Sequence, residues 1–388
     1  MISVDPHLTV QVQRLDVFVF RAPADPPVQT SFGIMRDRPA VLLRVTNAQG
    51  VSGWGEIWCN FPVVGAEHRA RMAAYYLRPL VEGKVYASPQ ACFRALNEAF
   101  AVLAIQCGEP GTLHQIVAGL DLALWDMQAR QAGQPLWRFI ADLDLNTCAP
   151  VAVYASGLNP TAPEKLAAQK LAEGYRAFKL KVGFGADRDQ TNLRAMREVI
   201  GRDMPFMVDA NQAWTLDQAL QAGRAMEPYQ PGWLEEPMRA DISLADWERL
   251  AREQPLPLAG GENLAGLPQF DAFTASPALT VLQPDLGKWG GITGCLEVGR
   301  RAVAAGKRFC PHWLGGGIGL TASFHLKAAV GGPGYVEVDA NPNPLRELLA
   351  MPQFSLHDGA VQLSDAPGLG VVPDLQATRE FQVLVPGL

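Results

Sequence analysis

The chain has 388 residues, of which 48% are hydrophobic and only 19% are charged. A chain of that length and composition buries a large core and suggests two domains. The net charge of −6 and the lack of a long basic run give no electrostatic support for a nucleic-acid or membrane-surface role.

The sequence also lacks the marks of export. Residues 1–6 contain no basic segment followed by an apolar one, so we expect no signal peptide. No apolar run approaches the roughly 20 residues that span a bilayer. None of the cysteines has C-x-x-C spacing, which favours reduced thiols that pack in the core of a cytoplasmic protein. The six cysteines are Cys59, Cys92, Cys107, Cys148, Cys295 and Cys310.

The first third of the chain has the pattern of an α+β domain, which we assign to residues 1–133. Alternating apolar and β-branched residues predict three strands, and a polar turn joins the last two. These strands are residues 10–20, 40–46 and 51–58. Helical periodicity then predicts three helices. They are residues 66–80, 89–103 and 113–132.

A long segment separates the first two predicted strands. Residues 23–38 are proline-rich and polar, and they are too many for an ordinary hairpin loop. Connections of this length are either disordered or act as functional lids. We therefore expect a lid or a disordered loop at this place.

From residue 151 the pattern changes to short apolar strands, each followed by a helix-like segment such as residues 163–173 or 216–226. Eight strands are predicted, at residues 151–155, 178–182, 206–210, 232–235, 257–261, 280–283, 308–311 and 335–338. Eight β/α units in about 200 residues favour an α/β barrel of the TIM type over an open sheet. We assign residues 134–345 to this barrel and expect residues 346–388 to return to the first domain.

Acidic side chains end three consecutive strands of the predicted barrel: Asp209, Glu235 and Glu262. Strand ends meet at the mouth of a TIM barrel, where catalytic residues lie. Three carboxylates there would repel one another unless a cation neutralised them, and oxygen ligands suit a hard ion such as Mg²⁺. The alternative is that each acid lies on the surface or caps the next helix, and this explains three equivalent positions less well.

Basic side chains lie at strand ends on either side of these acids. Lys179 and Lys181 alternate with Leu180 and so point the same way. Their mutual repulsion should lower the pKa of Lys181 towards neutrality, so that it can exist as a free amine. Asp285 and His312 end later strands, and a carboxylate beside an imidazole fixes its tautomer and raises its pKa. The set suits removal of the weakly acidic proton α to a carboxylate, with a metal between two acid/base groups.

In this order the motifs resemble the enolase superfamily, and within it the mandelate racemase subgroup. The matching segments are Lys179-x-Lys181, Asp209-x-Asn211, Glu235-Glu236-Pro237, Gly261-Glu262-Asn263, Asp285 with Gly290-Gly291, His312, Glu337, Gly53-Trp54-Gly55-Glu56 and residues 119–126. The resemblance implies an α+β N-terminal capping domain on a modified TIM barrel, (β/α)₇β. It also implies a homo-oligomer, by analogy alone.

The resemblance further implies a role for each matched residue. The implied Mg²⁺ ligands are Asp209, Glu235 and Glu262, and the implied acid/base groups are Lys181 and His312, the latter paired with Asp285. Lys179 would contact the substrate carboxylate and tune Lys181. Glu337 would hydrogen-bond a substrate carboxylate oxygen, and Asn211 would reach a substrate hydroxyl.

The catalytic set does not separate the reactions that this subgroup performs. An intact Lys-x-Lys motif with an Asp–His pair most resembles acid-sugar dehydratases, so we favour dehydration of a sugar acid to a 2-keto-3-deoxy acid. The alternatives are a cycloisomerase of a sugar-acid lactone and a racemase or epimerase of a 2-hydroxy acid. A non-catalytic sugar-acid-binding protein would lack a ligand, a base or an acid, and none is missing.

Substrate specificity is expected to come from two loops of the capping domain. The first loop is polar and basic, with Arg36 and Arg38, which favours a polyhydroxy acid over an aromatic one. We expect Arg36 from this loop and Asn60 from the second loop to contact the substrate. The alternative for both arginines is a solvated loop charge.

Overall fold

The computed structural model describes residues 9–141 and 147–388. Residues 1–6, in which no signal peptide is expected, lie outside that range. The described chain forms an antiparallel sheet with helices, then a parallel barrel and a C-terminal segment. No helix within these described ranges has the length and apolar character needed to cross a membrane.

The N-terminal sheet has three antiparallel strands in the order of the chain. They are β2 (Arg14–Thr30), β3 (Gly33–Thr46) and β4 (Ser52–Ile57). A separate two-stranded pair joins β1 (Val10–Gln11) to β5 (Val85–Tyr86). The three predicted strands are confirmed, and β2 and β3 are longer than predicted.

The expectation of a loop at residues 23–38 is wrong, because this segment is the distal half of the β2–β3 hairpin. A register shift between Pro23 and Val28 absorbs the prolines, which cannot donate to a strand ladder. Beyond the shift the two strands pair again. The hairpin tip reaches the barrel, where the Gln29 N–H donates to Asn159 Oδ1 at 3.0 Å. The segment is therefore an ordered cover.

Helices complete the N-terminal part close to where they were predicted. They are α1 (Gly65–Met72), a π-helical segment (Ala73–Leu77), α2 (Arg78–Val81), α3 (Pro89–Cys107), α4 (Pro110–Gln131) and α5 (Leu136–Phe139). Helix α4 lies unusually close to β4. A Cβ at Gly55 would lie 1.9 Å from the Gly119 carbonyl oxygen, so only glycine fits at this crossing.

All eight predicted barrel strands are present. They are β6 (Val151–Leu158), β7 (Phe178–Lys181), β8 (Phe206–Asp209), β9 (Leu234–Glu235), β10 (Leu258–Gly260), β11 (Val281–Leu282), β12 (Arg308–Phe309) and β13 (Val336–Asp339). Parallel pairing runs from β13 through β6 to β12. The two ends of this ladder are joined by a hydrogen bond from the Phe309 N–H to the Pro333 carbonyl, 3.3 Å long.

Seven helices connect these eight strands, which gives the (β/α)₇β order that the resemblance implied. They are α6 (Pro163–Ala172), α7 (Ala186–Ile200), α8 (Leu216–Met226), α9 (Leu244–Glu253), α10 (Leu267–Ala275), α11 (Gly291–Ala304) and α12 (Gly317–Val330). A 3₁₀ turn (Glu227–Tyr229) extends α8. Local side chains cap some of them, as Thr215 does for α8 by accepting from the Gln218 N–H.

The C-terminal segment contacts both parts of the chain. It contains α13 (Pro344–Leu348), β14 (Leu356–His357), β15 (Ala360–Val361) and a 3₁₀ turn (Arg379–Phe381). Strand β15 pairs with β6 of the barrel. Further on, the Val383 N–H donates to the Val19 carbonyl of β2 at 2.8 Å. The domain boundaries at 133/134 and 345/346 stay predictions.

One apolar core spans the interface between the N-terminal sheet and the barrel. Phe20, Leu42 and Trp125 from the N-terminal part belong to the same buried cluster as Ile292 and Ile318 of α11 and α12. Burying a side chain of this kind is worth about 1.5–3 kcal/mol. The two parts therefore hold each other in place above the carboxyl ends of the strands.

Candidate active site

Both lysines of β7 point into the barrel mouth, and acids from other strands hold each of them. Lys181 faces Asp209 in the β7–β8 register, with Nζ 2.5 Å from Asp209 Oδ2. Lys179 is fully buried; its Nζ donates to Glu235 Oε1 and lies 2.9 Å from Glu337 Oε1. The pair therefore occupies the centre of the site.

The pKa of Lys181 is higher than expected from the sequence. Burial lowers it most and Lys179 lowers it too, but Asp209 together with Glu337 and Glu262 outweighs both, so this pKa lies above its ordinary value of 10.5. The expectation that Lys179 brings Lys181 towards neutrality is wrong for the site as it stands, because the counter-ion outweighs the like charge. Burial also lowers the pKa of Lys179, but Glu235 and Glu337 raise it well above its ordinary value.

The three acids predicted to bind metal lie at one end of the barrel. Asp209 and Glu235 are register partners on β8 and β9, and Glu262 follows β10. Their oxygens face bases, however: Glu262 Oε2 is 2.6 Å from His312 Nε2, and Oε1 is 2.9 Å from Lys288 Nζ. Among the described residues, no three acid, histidine or cysteine side chains are placed to hold a metal as they stand. The ligand set stays a prediction.

The charges of the mouth nevertheless fit a divalent cation. Six carboxyl groups meet three ammonium groups and one imidazole, so the acids of the mouth outnumber the bases by two. The acids are Asp209, Glu235, Glu236, Glu262, Asp285 and Glu337, and the bases are Lys179, Lys181, Lys288 and His312. Burial raises the pKa of Glu235 to about 7, and repulsion by Asp209 adds to the rise. The surplus consists of carboxylate oxygens, the donors that Mg²⁺ prefers.

His312 and Asp285 form a tight pair on adjacent strand ends. Asp285 Oδ2 is 2.5 Å from His312 Nδ1, and its Oδ1 accepts from the N–H groups of Gly287 and Lys288 at 2.7 and 2.8 Å. The carboxylate is thereby fixed, and it directs Nε2 of the imidazole into the mouth. Burial lowers the pKa of His312, but Glu262 and Glu337 together with Asp285 raise it well above its ordinary value, which is the direction expected.

Glu337 completes the polar ring. It is buried within β13, and its Oε1 accepts from Ser156 Oγ of the neighbouring β6. Burial raises its pKa, but Lys179 and His312 lower it below its ordinary value, so the group is an anion. Within the described chain, Glu337 Oε2 and Asn211 Oδ1 are buried oxygens without a hydrogen-bond partner. Glu337 Oε2 also lies 3.5 Å from His312 Nε2, within ion-pair distance.

A cavity of about 280 Å³ opens above these groups. Lys181, His312 and Asn211 line its floor, and Asn60 and Thr30 reach it from the N-terminal part. The cover is tied down by polar contacts from its own residues. The Asn60 amide donates to the Leu314 carbonyl at 2.6 Å, and Ser31 Oγ donates to the Asn211 carbonyl at 2.8 Å. The cavity is thus enclosed jointly by barrel and cover.

The outer wall of this cavity is aromatic, with one ring from the first of the two predicted loops and two rings from the second. Phe32, at the hairpin tip, lies 5.1 Å from Phe61 between ring centroids, and Trp58 lies 6.5 Å from Phe61. All three line the cavity. Lys288 Nζ lies 4.7 Å from the centre of the Trp58 ring, close enough for a cation–π contact. The wall suits the apolar face of a ligand.

The two arginines of the hairpin occupy different environments. Arg36 is exposed and is not among the residues that line the cavity, so its predicted contact with substrate stays a prediction. Arg38 is only 1% exposed and forms an ion pair with Asp339 at the end of β13. Arg38 is therefore an internal strut between hairpin and barrel, and its interpretation as a solvated loop charge is wrong.

Comparison with known proteins places the chain in a family. It matches "Mandelate racemase / muconate lactonizing enzyme, N-terminal domain" over residues 14–141 and "Enolase C-terminal domain-like" over residues 163–377. The second match alone covers more than half of the chain. The chain belongs to the mandelate racemase/muconate lactonizing enzyme family of the enolase superfamily.

Curated relatives of this family member include enzymes of two reaction classes. A 3,6-anhydro-alpha-L-galactonate cycloisomerase from Streptomyces coelicolor is 30% identical over 96% of this chain and 99% of the relative. An L-talarate/galactarate dehydratase from Salmonella typhimurium is 32% identical over 71% of this chain and 67% of the relative.

Solved structures of the same family superpose closely. A mandelate racemase/muconate lactonizing enzyme from Bordetella bronchiseptica is 51% identical, with a TM-score of 0.90 over 96% of this chain and 99% of the other. A racemase from Streptomyces coelicolor with bound magnesium is 28% identical, with a TM-score of 0.85 over 96% of this chain and 100% of the other.

Two polar residues of the barrel mouth are not predicted from the sequence, Gln283 and Lys288. Gln283 Nε2 donates to Glu235 Oε2 at 2.6 Å, and Lys288 contacts Glu262. Gln283 stands at a strand end, so the rule that identified Asp285 also applies to it. Lys288 lies in a loop, and no local pattern marks it.

Proposed function

We propose that this family member is a Mg²⁺-dependent enzyme that removes the proton α to the carboxylate of a sugar acid and dehydrates it to a 2-keto-3-deoxy acid. One observation carries the proposal: Lys181 and the Asp285-paired His312 line the same 280 Å³ cavity. A base and an acid on one cavity are what α-proton removal with loss of a β-hydroxyl requires.

In this mechanism the lysine and the imidazole divide the proton transfers. Lys181, as a free amine, takes the α-proton, and protonated His312 gives its Nε2 proton to the β-hydroxyl, which leaves as water. The resulting enol tautomerises to the 2-keto acid. Lys181 is free to act only when Asp209, now 2.5 Å away, is no longer its counter-ion.

Metal and carboxylate binding are assigned to the remaining groups. Asp209, Glu235 and Glu262 would hold Mg²⁺. The ion would neutralise the second negative charge, which develops on the substrate carboxylate when the α-proton is removed. Lys179 and Glu337 would hold the substrate carboxylate, the latter through a protonated substrate oxygen or a bridging donor. Asn211 has a buried, unpartnered Oδ1 that can accept from a substrate hydroxyl.

A cycloisomerase is the second candidate, and the aromatic wall favours it. Phe32, Trp58 and Phe61 line the cavity together. A lactone or anhydro-sugar has a compact face of C–H groups that packs on such rings, whereas an open-chain sugar acid exposes hydroxyls all along its length. The cycloisomerase relative also spans nearly the whole chain. Racemisation or epimerisation of a 2-hydroxy acid stays the third candidate, and a racemase from Streptomyces coelicolor is among the solved relatives.

We also propose a cytoplasmic homo-oligomer. The six cysteines are all free thiols, four of them buried, as expected in a reducing compartment. The oligomer is an analogy with the family alone.

Deuterium exchange tests the proposed function. The protein is incubated with Mg²⁺ and pooled sugar acids and sugar-acid lactones in D₂O, and mass spectrometry follows α-deuteration and new products. We expect deuterium in one acid together with a new product. After correction for deuterium, that product should be lighter by one water, about 18 mass units, for dehydration, or of unchanged mass for ring opening. Exchange into no compound, with Mg²⁺ bound, would contradict the proposal.

A further inference from the structure

Two buried carboxylates of the N-terminal part contact the barrel but do not line the cavity. Glu56, in β4, and Asp121, in α4, are each 1% exposed. Both acids belong to segments that the sequence analysis matched to the family, residues 53–56 and 119–126, without giving them a task. A buried carboxyl is costly unless hydrogen bonds satisfy it, so the partners of these two acids indicate what they do.

Glu56 caps the start of α12, the helix that follows the strand of His312. Its Oε1 accepts from the Gly316 N–H, and its Oε2 accepts from the Gly319 N–H at 3.0 Å. A Cβ at Gly316 would lie 2.6 Å from Oε1, so a side chain there would displace the carboxylate. Only three residues separate His312 from this contact.

Asp121 makes the corresponding contact at α11, the helix that follows the strand of Asp285. Its Oδ2 accepts from the Thr293 N–H at 2.8 Å, and its Oδ1 accepts from Thr293 Oγ1 at 2.7 Å. Gly291 approaches the same carboxylate: a Cβ there would lie 2.4 Å from Oδ2. The carboxylate is thus built into the first turn of the helix.

Trp313 joins the two loops. Its Nε1 donates to the Gly316 carbonyl at 2.9 Å, next to the Glu56 contact. Its ring also lies against the loop that follows Asp285, where a Cβ at Gly287 would be only 2.6 Å away. Because Trp313 contacts both loops, a shift at the start of either helix is expected to move both Asp285 and His312.

We propose that Glu56 and Asp121 are positioning residues that hold the loops of His312 and Asp285. Through them the N-terminal part sets the geometry of this pair as well as covering the cavity. Two other barrel helices use local caps: Thr215 caps α8, and Ser243 caps α9 by accepting from the Asp246 N–H. By contrast, α11 and α12, the two helices that follow Asp285 and His312, are capped by carboxylates from the N-terminal part of the chain. The inference rests on the proposed function for its kinetic test but not for its structural one.

The structural test is NMR of the proton on His312 Nδ1, which a short charge-assisted bond to Asp285 shifts far downfield; a His312→Asn variant assigns it. We expect Glu56→Gln and Asp121→Asn to shift or broaden this resonance. The matched control is Asp126→Asn: this buried carboxylate accepts from the Trp54 and Leu369 N–H groups, away from the pair. An unchanged resonance in both test variants would overturn the proposal.

The kinetic test compares product formation with α-deuteration of recovered substrate. A displaced His312 slows departure of the hydroxyl, so the deprotonated intermediate returns to substrate more often. We expect Glu56→Gln to lower kcat about 10- to 100-fold with KM nearly unchanged, while the ratio of exchange to product rises. Gly316→Ala should have the same effects, because the added methyl group would displace the Glu56 carboxylate. A parallel loss of exchange and product in these variants would overturn the positioning role.

The two tests separate the inference from the proposed function. If the wild-type protein neither exchanges nor converts any substrate, the proposed function fails, and the NMR comparison still decides the role of Glu56 and Asp121. If Glu56→Gln unfolds, Gly316→Ala tests the Glu56 contact from the loop side, and Asp121→Asn tests the corresponding contact on α11. Asp126→Asn altering the resonance as strongly as the test variants would also overturn the proposal.

Discussion

Lys181 and Asp209 face each other across neighbouring strands, and Nζ lies 2.5 Å from Oδ2. The proposed base and a proposed metal ligand therefore neutralise each other. A cation held by Asp209 would remove this counter-ion and leave Lys181 beside Lys179, which lowers its pKa. Metal binding and activation of the base are thus linked through one carboxylate.

Mg²⁺ is expected to stabilise the folded chain, because it neutralises the excess of buried carboxylates. At about 100 times its dissociation constant, the ion should raise the free energy of unfolding by about 2.7 kcal/mol. Urea unfolding with Mg²⁺ and with EDTA measures this difference. Asp209→Asn should lose most of the gain, whereas Asp241→Asn, an exposed surface acid, should keep it. Equal stability with and without Mg²⁺ would contradict the metal site.

Stability should depend on pH through Glu56. Burial raises the pKa of this carboxyl from 4.5 to about 7. Between these values the unfolded chain ionises the group while the folded chain keeps the proton, so the free energy of unfolding falls as pH rises through the window and levels off above it. The loss is on the order of 3 kcal/mol. Urea unfolding at several pH values should give a shallower slope for Glu56→Gln than for wild type, and equal slopes would contradict the account.

The buried ion pair of Arg38 and Asp339 gives a stability prediction. Replacing Arg38 with Met leaves a buried carboxylate without its cation, which should cost about 3–5 kcal/mol. Arg36→Met is the matched control, since Arg36 is exposed on the same strand, and it should change the free energy of unfolding by less than about 0.5 kcal/mol. Chemical denaturation measures both. A cost for Arg38→Met no larger than the control would rule out the strut.

The aromatic wall should affect binding more than chemistry. Phe61→Ala removes a ring that contacts both Phe32 and Trp58, so we expect KM to rise about tenfold, which is about 1.4 kcal/mol, with kcat nearly unchanged. The effect should be larger for a cyclic substrate than for an open-chain acid. Tyr75→Ala, an exposed aromatic outside the cavity, is the control. An unchanged KM for Phe61→Ala would remove the argument for a ring-shaped substrate.

Much of the fold follows from sequence because its signals are local. Short apolar runs such as residues 206–210 predict strands that the structure contains. The alternation along β7 correctly predicts that Lys179 and Lys181 point to the same side of the strand. Strand-end position brought Asp285 and His312 together. The hairpin at residues 23–38 is not predicted, because prolines are unfavourable in strands. The structure accommodates them through a register shift that the sequence does not indicate.

The remainder depends on distant contacts that no local pattern contains. Glu56 and Gly316 are 260 positions apart, and Asp121 and Thr293 are 172 apart. The sequence predicts a lowered pKa for Lys181, whereas the structure gives a raised one, and the reason is again a distant contact. The sequence places Lys179 beside Lys181, but only the fold reveals that Asp209, which carries the opposite charge, lies 2.5 Å from Lys181 Nζ.

The most direct test of the central claim compares Lys181→Ala with His312→Asn in D₂O on a substrate of the wild-type enzyme. Loss of a general base costs about 10²- to 10⁴-fold, so Lys181→Ala should lose α-exchange and product together. His312→Asn should keep α-exchange by Lys181 while forming no product. Wild-type rates of α-exchange in Lys181→Ala would contradict the assignment of Lys181 as the base.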